Sequence, residues 1–82
     1  MGDGRMLAGM TDIHLDNRGL PPPEPMVRIL EALAGISSQD QLVVLMDREP
    51  LLLYPELERR GFAWTFVAGA PQVLTVAKAE ST

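Results

Sequence analysis

The sequence has no cysteine among its 82 residues, which excludes a disulfide scaffold, a thiolate metal site and a thiol nucleophile. Basic residues are also few, since seven Lys and Arg stand against eleven Asp and Glu, for a formal net charge of −4. Binding to a phosphate backbone needs a clustered basic surface, so we expect no nucleic-acid partner. No apolar run approaches the roughly 20 residues of a membrane-spanning helix, and we find no signal-peptide pattern. We therefore expect a cytoplasmic protein with no membrane partner.

Histidine and aromatic residues are equally scarce, with one His, one Trp, one Tyr and two Phe. The single His14 alternates with Ile13 and Leu15 and has no neighbours at the spacing of a zinc site or a catalytic triad. We expect His14 to be solvated or at an interface. Trp64 lies at strand spacing with the two phenylalanines, which is typical of a core or an interface. No metal and no cofactor is expected.

The length allows one small domain. Residues 1–11 mix Gly, Met and single charges without periodicity, so they are predicted to be a disordered leader, and residues 79–82 a short tail. Residues 12–78 form the domain. Alternating or continuous apolar runs predict strands at 12–16, 41–46, 62–67 and 72–78.

Two helices are predicted between these strands. The first begins near Glu24 or Pro25, after a run of prolines, and ends at Gly35. The second covers residues 51–60, is bent or delayed by Pro55, and is closed by Gly61. The resulting fold class is α+β, a two-layer β-α-β-α-β-β sandwich with a four-stranded mixed sheet and both helices on one face.

Two helices cover only one side of such a sheet. The strand at 41–46 is apolar on both faces, and the strand at 62–67 places Ala63, Thr65 and Val67 opposite its aromatic residues. An apolar uncovered face is a candidate for contact with a protein partner or with a second copy of the chain. Shielding by polar side chains and the leader is the alternative.

Residues 15–25 read LDNRGLPPPEP. This segment resembles the strand-to-helix signature L-D-x-x-G-L-x-C-P-E-P of the TusA-like (SirA-like) family of small sulfur carriers. It is more similar to an uncharacterised offshoot of that family, a domain of unknown function with L-D-x-R-G-L-P-P-P-E-P and a second signature. Residues 47–50, DREP, followed by residues 53–55, LYP, resemble that second signature. The resemblance covers roughly residues 13–78 and implies the TusA-like fold.

In the sulfur carriers the signature cysteine carries a persulfide, and Pro22 stands at its position here. Persulfide transfer is therefore excluded. The resemblance also implies that the first two strands are parallel neighbours, so that the loops after them lie side by side at the carboxyl end of the sheet. Six charged residues on these loops form the candidate site for a ligand or a partner: Asp16, Arg18, Glu24, Asp47, Arg48 and Glu49.

Three interpretations of these six residues remain open. They can pair with one another and cap the helices, bind a small anion through the arginines and a helix N-terminus, or hold a hard cation through the carboxylates. We expect a small, non-catalytic binding or protein-interaction domain, a cysteine-less relative of the sulfur carriers. The alternative is a small enzyme or ligand sensor that binds an anion or a metal at the two loops.

Overall fold

The computed structural model describes residues 11–79. The leader and tail predictions therefore concern residues that, apart from Thr11 and Ala79, lie outside the described part of the chain. The strands are β1 (Thr11–Asp16), β2 (Asp40–Met46), β3 (Phe62–Val67) and β4 (Gln72–Lys78). The helices are α1 (Glu24–Ala34) and α2 (Tyr54–Arg59), and a single 3₁₀ turn (Leu51–Leu53) leads into α2.

The four strands form one mixed sheet in the order β1-β2-β4-β3. β1 runs parallel to β2, while β4 runs antiparallel to both β2 and β3. The parallel pair is joined by the α1 crossover, and the β3–β4 pair is a hairpin with a short turn, as the spacing of the strands predicts. The predicted α+β sandwich is confirmed.

The core lies between the sheet and the two helices. Its central strand β2 alternates between buried and half-buried side chains, because successive residues of a strand point to opposite faces. Hydrophobic burial from both layers supplies the main stabilising free energy. The buried apolar residues are Ile29, Leu33, Ile36, Leu42, Val44, Met46, Leu53, Leu57, Leu74 and Val76.

Helix α1 begins at Glu24, as predicted, directly after the proline run. Pro25 lies in its first turn, where its missing N–H costs no intrahelical bond, and the Glu24 carboxylate lies at the positive end of the helix dipole. The helix buries Ile29 and Leu33 against the sheet. It ends at Gly35, whose φ of −110° is one that any residue can adopt, so this glycine does not end the helix through a left-handed conformation.

The second predicted helix, residues 51–60, is not one continuous α-helix. Residues Leu51–Leu53 form a 3₁₀ turn and only Tyr54–Arg59 are α-helical, because Pro55 cannot donate a backbone hydrogen bond and so lies in the first turn of α2. Gly61 follows with a φ of +85°, the left-handed conformation expected of a C-terminal cap. Within residues 11–79, neither helix has the length and apolarity to cross a membrane.

The other face of the sheet has no helix over it within the described part of the chain. Side chains of paired residues on neighbouring strands form rows across this face, and one such row is His14–Val43–Thr75–Thr65. The side chains of the two central strands are half-buried there, whereas those of β3 are exposed, Val67 by 58 %. We call this surface the open face.

Candidate functional site

The loops after β1 and β2 lie side by side at the carboxyl end of the sheet. The Gly19 N–H donates to Asp47 Oδ2 over 2.6 Å, and the Asn17 N–H donates to the Leu45 carbonyl over 2.9 Å, which extends the parallel ladder by one residue. Gly19 has a φ of +80°, so its amide is presented from a left-handed turn that favours glycine. The two loops are therefore held together by the backbone of one and a carboxylate of the other.

Asp16 and Arg18 pair within the first loop. Arg18 Nε and Nη2 donate to the two Asp16 carboxylate oxygens, each over 2.9 Å, and the Arg18 backbone N–H donates to Oδ1 over 3.1 Å. These hydrogen bonds, with the guanidinium charge, lower the pKa of Asp16 to about 2 and raise the pKa of Arg18. The bidentate pair thus forms within the first loop, while the Asp47 charge of the second loop adds to the raised pKa of Arg18.

In the second loop, Glu49 is joined to helix α2. The Tyr54 hydroxyl donates to Glu49 Oε2 over 2.9 Å, and the Tyr54 ring stacks on Trp64 of β3 with centroids 4.9 Å apart. The pKa of Tyr54 is raised to about 12, mainly by burial and secondly by the Glu49 carboxylate. Tyr54 therefore stays protonated at neutral pH and donates a hydrogen bond to the loop.

Glu24 and Arg48 complete the six predicted residues. Both are exposed, and neither takes part in an ion pair with another described residue. No side chain caps the N-terminus of α1 or α2 by a hydrogen bond, and the mutual pairing among the six residues is that of Asp16 with Arg18. Across residues 11–79, no group of three or more His, Asp or Glu side chains is placed to hold a metal ion.

An apolar groove of about 430 Å³ lies between the two loops. We call it the loop groove. Pro22 is part of its lining, and so are Leu51 and Leu52, which are 64 % and 85 % exposed. Prolines, leucines and two methionines form most of its lining, including Leu20, Pro22, Met26, Met46, Leu51 and Leu52.

Asn17 also lines the loop groove and is its most deeply buried polar residue, with 1 % of its surface exposed. Its Nδ2 donates to the Pro25 carbonyl over 2.9 Å, while its buried Oδ1 has no hydrogen-bond partner among residues 11–79. Because the Pro25 carbonyl can only accept, the amide cannot be turned around without losing that bond. The unpartnered group is therefore an acceptor.

Sequence reasoning missed Asn17 and the two leucines. Asn17 occupies an unspecified position of the L-D-x-R-G-L signature, between the charged residues that drew attention. The leucines carry a signal that was available, since pairing Leu53 with Leu57 on the core side leaves Leu51 and Leu52 off that face. The site is thus less charged and more apolar than its sequence motif indicates.

No curated protein and no solved structure matches the chain. A family model does match, and it spans residues 14–79, which covers β1 from its fourth residue, both loops of the groove and the final hairpin. The protein belongs to the family of uncharacterized conserved proteins DUF2249.

Proposed function

We propose that the protein is a non-catalytic binding domain that takes a small apolar ligand in the loop groove. The observation that carries this proposal is the exposure of Leu51 and Leu52 beside a groove of about 430 Å³. Small-molecule sites are concave, mostly apolar and of about 300–1,000 Å³, with a few polar groups that fix orientation. The loop groove has that size and that lining.

Two titratable groups near the loops, Asp16 and Tyr54, do not have the pKa that acid–base catalysis needs. A general acid or base works best with a pKa near the operating pH. Asp16 has its pKa lowered to about 2 and Tyr54 has its pKa raised to about 12, so both are moved away from neutrality. Such groups keep one protonation state, which suits a structural or binding role.

The alternative, an enzyme or sensor that binds an anion or a metal at the two loops, has less support. Arg18 is engaged by Asp16, and Asp47 accepts from the Gly19 amide, so each would have to give up a contact to meet an ion. Arg48 is the remaining loop arginine, and it is exposed at the mouth of the groove beside two carboxylates, Asp47 and Glu49. The local charge there does not favour an anion.

A relationship to the TusA-like sulfur carriers is part of this proposal. It is supported by the LDNRGLPPPEP segment, which leads from β1 to the start of α1 and places Pro22 in the wall of the groove. In this interpretation the scaffold and its loop edge are kept while the persulfide chemistry is lost. A cytoplasmic location, which the sequence analysis expects, belongs to the same proposal.

The open face supports a second candidate, contact with a protein, most simply a second copy of the chain. The supporting observation is its composition, because small and β-branched residues fill the rows around Val43 and Thr75 and Val67 is largely exposed. Sedimentation velocity across the micromolar range tests it, since a dimer through this face should dissociate in Val67→Arg. A monomer at every concentration would count against self-association.

The groove proposal is tested with Nile red, a neutral apolar dye. We expect its fluorescence to rise on mixing with the full chain, and the rise to fall several-fold in the double variant Leu51→Ser, Leu52→Ser. Val67→Ser is the matched control, because it also removes an exposed apolar side chain but lies on the open face. A loss of dye signal in the control, with none in the double variant, would place the dye on the open face and reject the groove.

A further inference from the structure

We infer that the ligand of the loop groove is a neutral apolar molecule carrying one N–H or O–H donor, which Asn17 Oδ1 accepts. This inference rests on the proposed function and adds the polar feature that the ligand must have. Two independent observations carry it: an apolar groove, and a buried amide oxygen on one of its lining residues that has no partner among residues 11–79.

An unpartnered acceptor is unusual inside a protein. Most buried side-chain polar atoms have a hydrogen-bond partner, and one left without it costs about 1–3 kcal/mol. In Asn17 the free-energy cost of the unpartnered Oδ1 remains, although the other polar group, Nδ2, donates a hydrogen bond to the Pro25 carbonyl. A ligand donor on Oδ1 would remove the cost on binding, so a ligand with that donor is favoured over one without.

Because the unpartnered group is a hydrogen-bond acceptor, it selects ligands that carry a donor. A carboxylate or phosphate offers only acceptors, and it would be repelled by the Asn17 oxygen in an apolar setting. An ammonium ion would donate, but its charge would have to leave water for a lining that is mostly proline, leucine and methionine, and the two carboxylates in that lining, Asp47 and Glu49, already accept hydrogen bonds from the Gly19 amide and the Tyr54 hydroxyl. A neutral N–H or O–H on an apolar body meets both requirements.

Access to the amide oxygen requires a small rearrangement, because Oδ1 is itself covered. We assign this rearrangement to Met26. It follows Pro25 in the chain, lines the same groove and is half-buried, and its unbranched side chain adopts several rotamers at low cost.

The experiment compares three probes on the full chain: indole, N-methylindole and benzoate. Indole has an N–H donor, N-methylindole has the same ring system without it, and benzoate is an anion. Asn17 is the only asparagine in the sequence, so asparagine-selective nitrogen labelling gives one side-chain amide signal in proton–nitrogen NMR. That signal reports directly on the proposed contact.

We expect indole to shift the Asn17 side-chain signal and to bind about fivefold more tightly than N-methylindole, the effect of one added hydrogen bond. Benzoate should not shift it. In Asn17→Leu the advantage of indole should disappear while N-methylindole still binds. If this variant fails to fold, because the bond to Pro25 is lost with it, the comparison of probes on the unchanged protein decides the matter.

Failure of the inference differs from failure of the proposed function. Equal binding of indole and N-methylindole, with shifts at Leu20, Met46 and Leu52, would overturn the role of Asn17 and leave the groove as the site. Tighter binding of benzoate than of indole would overturn the neutral-ligand class. Absence of groove shifts with all three probes, together with unchanged Nile red fluorescence, would reject the groove itself.

Discussion

The loop groove and the core beneath the helices are both apolar, but they differ in how far their side chains are buried. In the core, Ile29, Leu42 and Leu57 are fully buried and contact side chains from both layers. In the groove, Leu51 and Leu52 remain largely exposed, although they are separated from the core residue Leu53 by no more than one residue. The change from exposed to buried leucines takes place within a single 3₁₀ turn.

The difference shows what keeps the groove from collapsing. Its walls combine the conformational restriction of proline and the hydrogen bond from the Gly19 amide to Asp47 with two residues of the core, Met46 and Leu53. Apolar side chains that do not contribute to packing are free to contact a ligand. The exposed leucines of the groove, Leu51 and Leu52, are therefore separate from the packing that stabilises the fold, and this separation can be tested.

The largest effect is expected in the core. Leu57→Ala removes a fully buried side chain of α2, and we expect a loss of about 2–5 kcal/mol in the free energy of unfolding, from lost burial and the cavity left behind. The matched groove variant Leu52→Ala should change it by less than about 0.5 kcal/mol. Chemical denaturation measures both. Similar losses in the two variants would show that the groove leucines are part of the core.

The contact between the loops should have a smaller effect. Asp47→Ala removes the carboxylate that accepts from the Gly19 amide, and we expect a loss of roughly 1 kcal/mol in unfolding free energy. The loops should also separate, with a shift of the Gly19 amide signal in NMR and weaker Nile red binding. Glu31→Ala is the control, since this exposed carboxylate forms no ion pair with a described residue and lies away from the positive end of α1. An unchanged Gly19 signal in Asp47→Ala would show that the prolines alone hold the groove.

Tyr54 connects the two regions, because its ring stacks on Trp64 while its hydroxyl donates to Glu49 of the groove. Being the only tyrosine, it can be titrated by ultraviolet absorbance, and we expect a pKa of about 12. The folded pKa is higher than that of an unfolded tyrosine, about 10. Its contribution to stability is therefore complete below pH 10 and is lost as the pH rises towards 12. Glu49→Gln should lower the pKa only in part, because burial is the larger cause; a full return to 10 would contradict this.

Asp16 is expected to have the smallest effect, because its pair with Arg18 is exposed and lies outside both regions. NMR titration of the carboxyl group should give a pKa of about 2, and Arg18→Gln should raise it towards the ordinary value. Since the folded pKa is the lower one, the contribution to stability is present above about pH 4 and is lost as the pH falls towards 2. Leu52-dependent dye binding should not change in Arg18→Gln. A loss of binding would make the pair part of the site.

Periodicity and turn chemistry were sufficient to predict the fold. The starts of α1 and β4, the left-handed Gly61 and the two-sided apolar strand β2 follow from local sequence, because each reflects a short-range constraint of the backbone. The division of residues 51–60 was harder to predict. Pro55 signals a bend there, but whether the preceding turn becomes α or 3₁₀ depends on how Leu53 packs into the core.

The site was predicted only in outline. Parallel pairing of β1 and β2 follows from their connection, and it brings the two loops together as expected. The chemistry of the groove depends on which side chains turn inward, and of the six predicted residues Asp47, Arg48 and Glu49 line it. Arg18 folds back on its neighbour Asp16, whereas Asn17 is buried because the backbone continues the ladder to Leu45. The orientation of these side chains is determined by tertiary contacts that cannot be read from a single sequence.

The direction of the strands has a practical consequence for attaching the protein to something else. Thr11 at the start of β1 pairs with Asp40, and Ala77 near the end of β4 pairs with Gln41, so the chain enters and leaves the sheet at the same end. β1 and β4 flank β2, which puts these two points about 10 Å apart. The loop groove lies beyond the opposite end of β2, roughly 20 Å away. A fluorophore, a surface tether or a fused domain joined at either point would leave the mouth of the groove open to solvent.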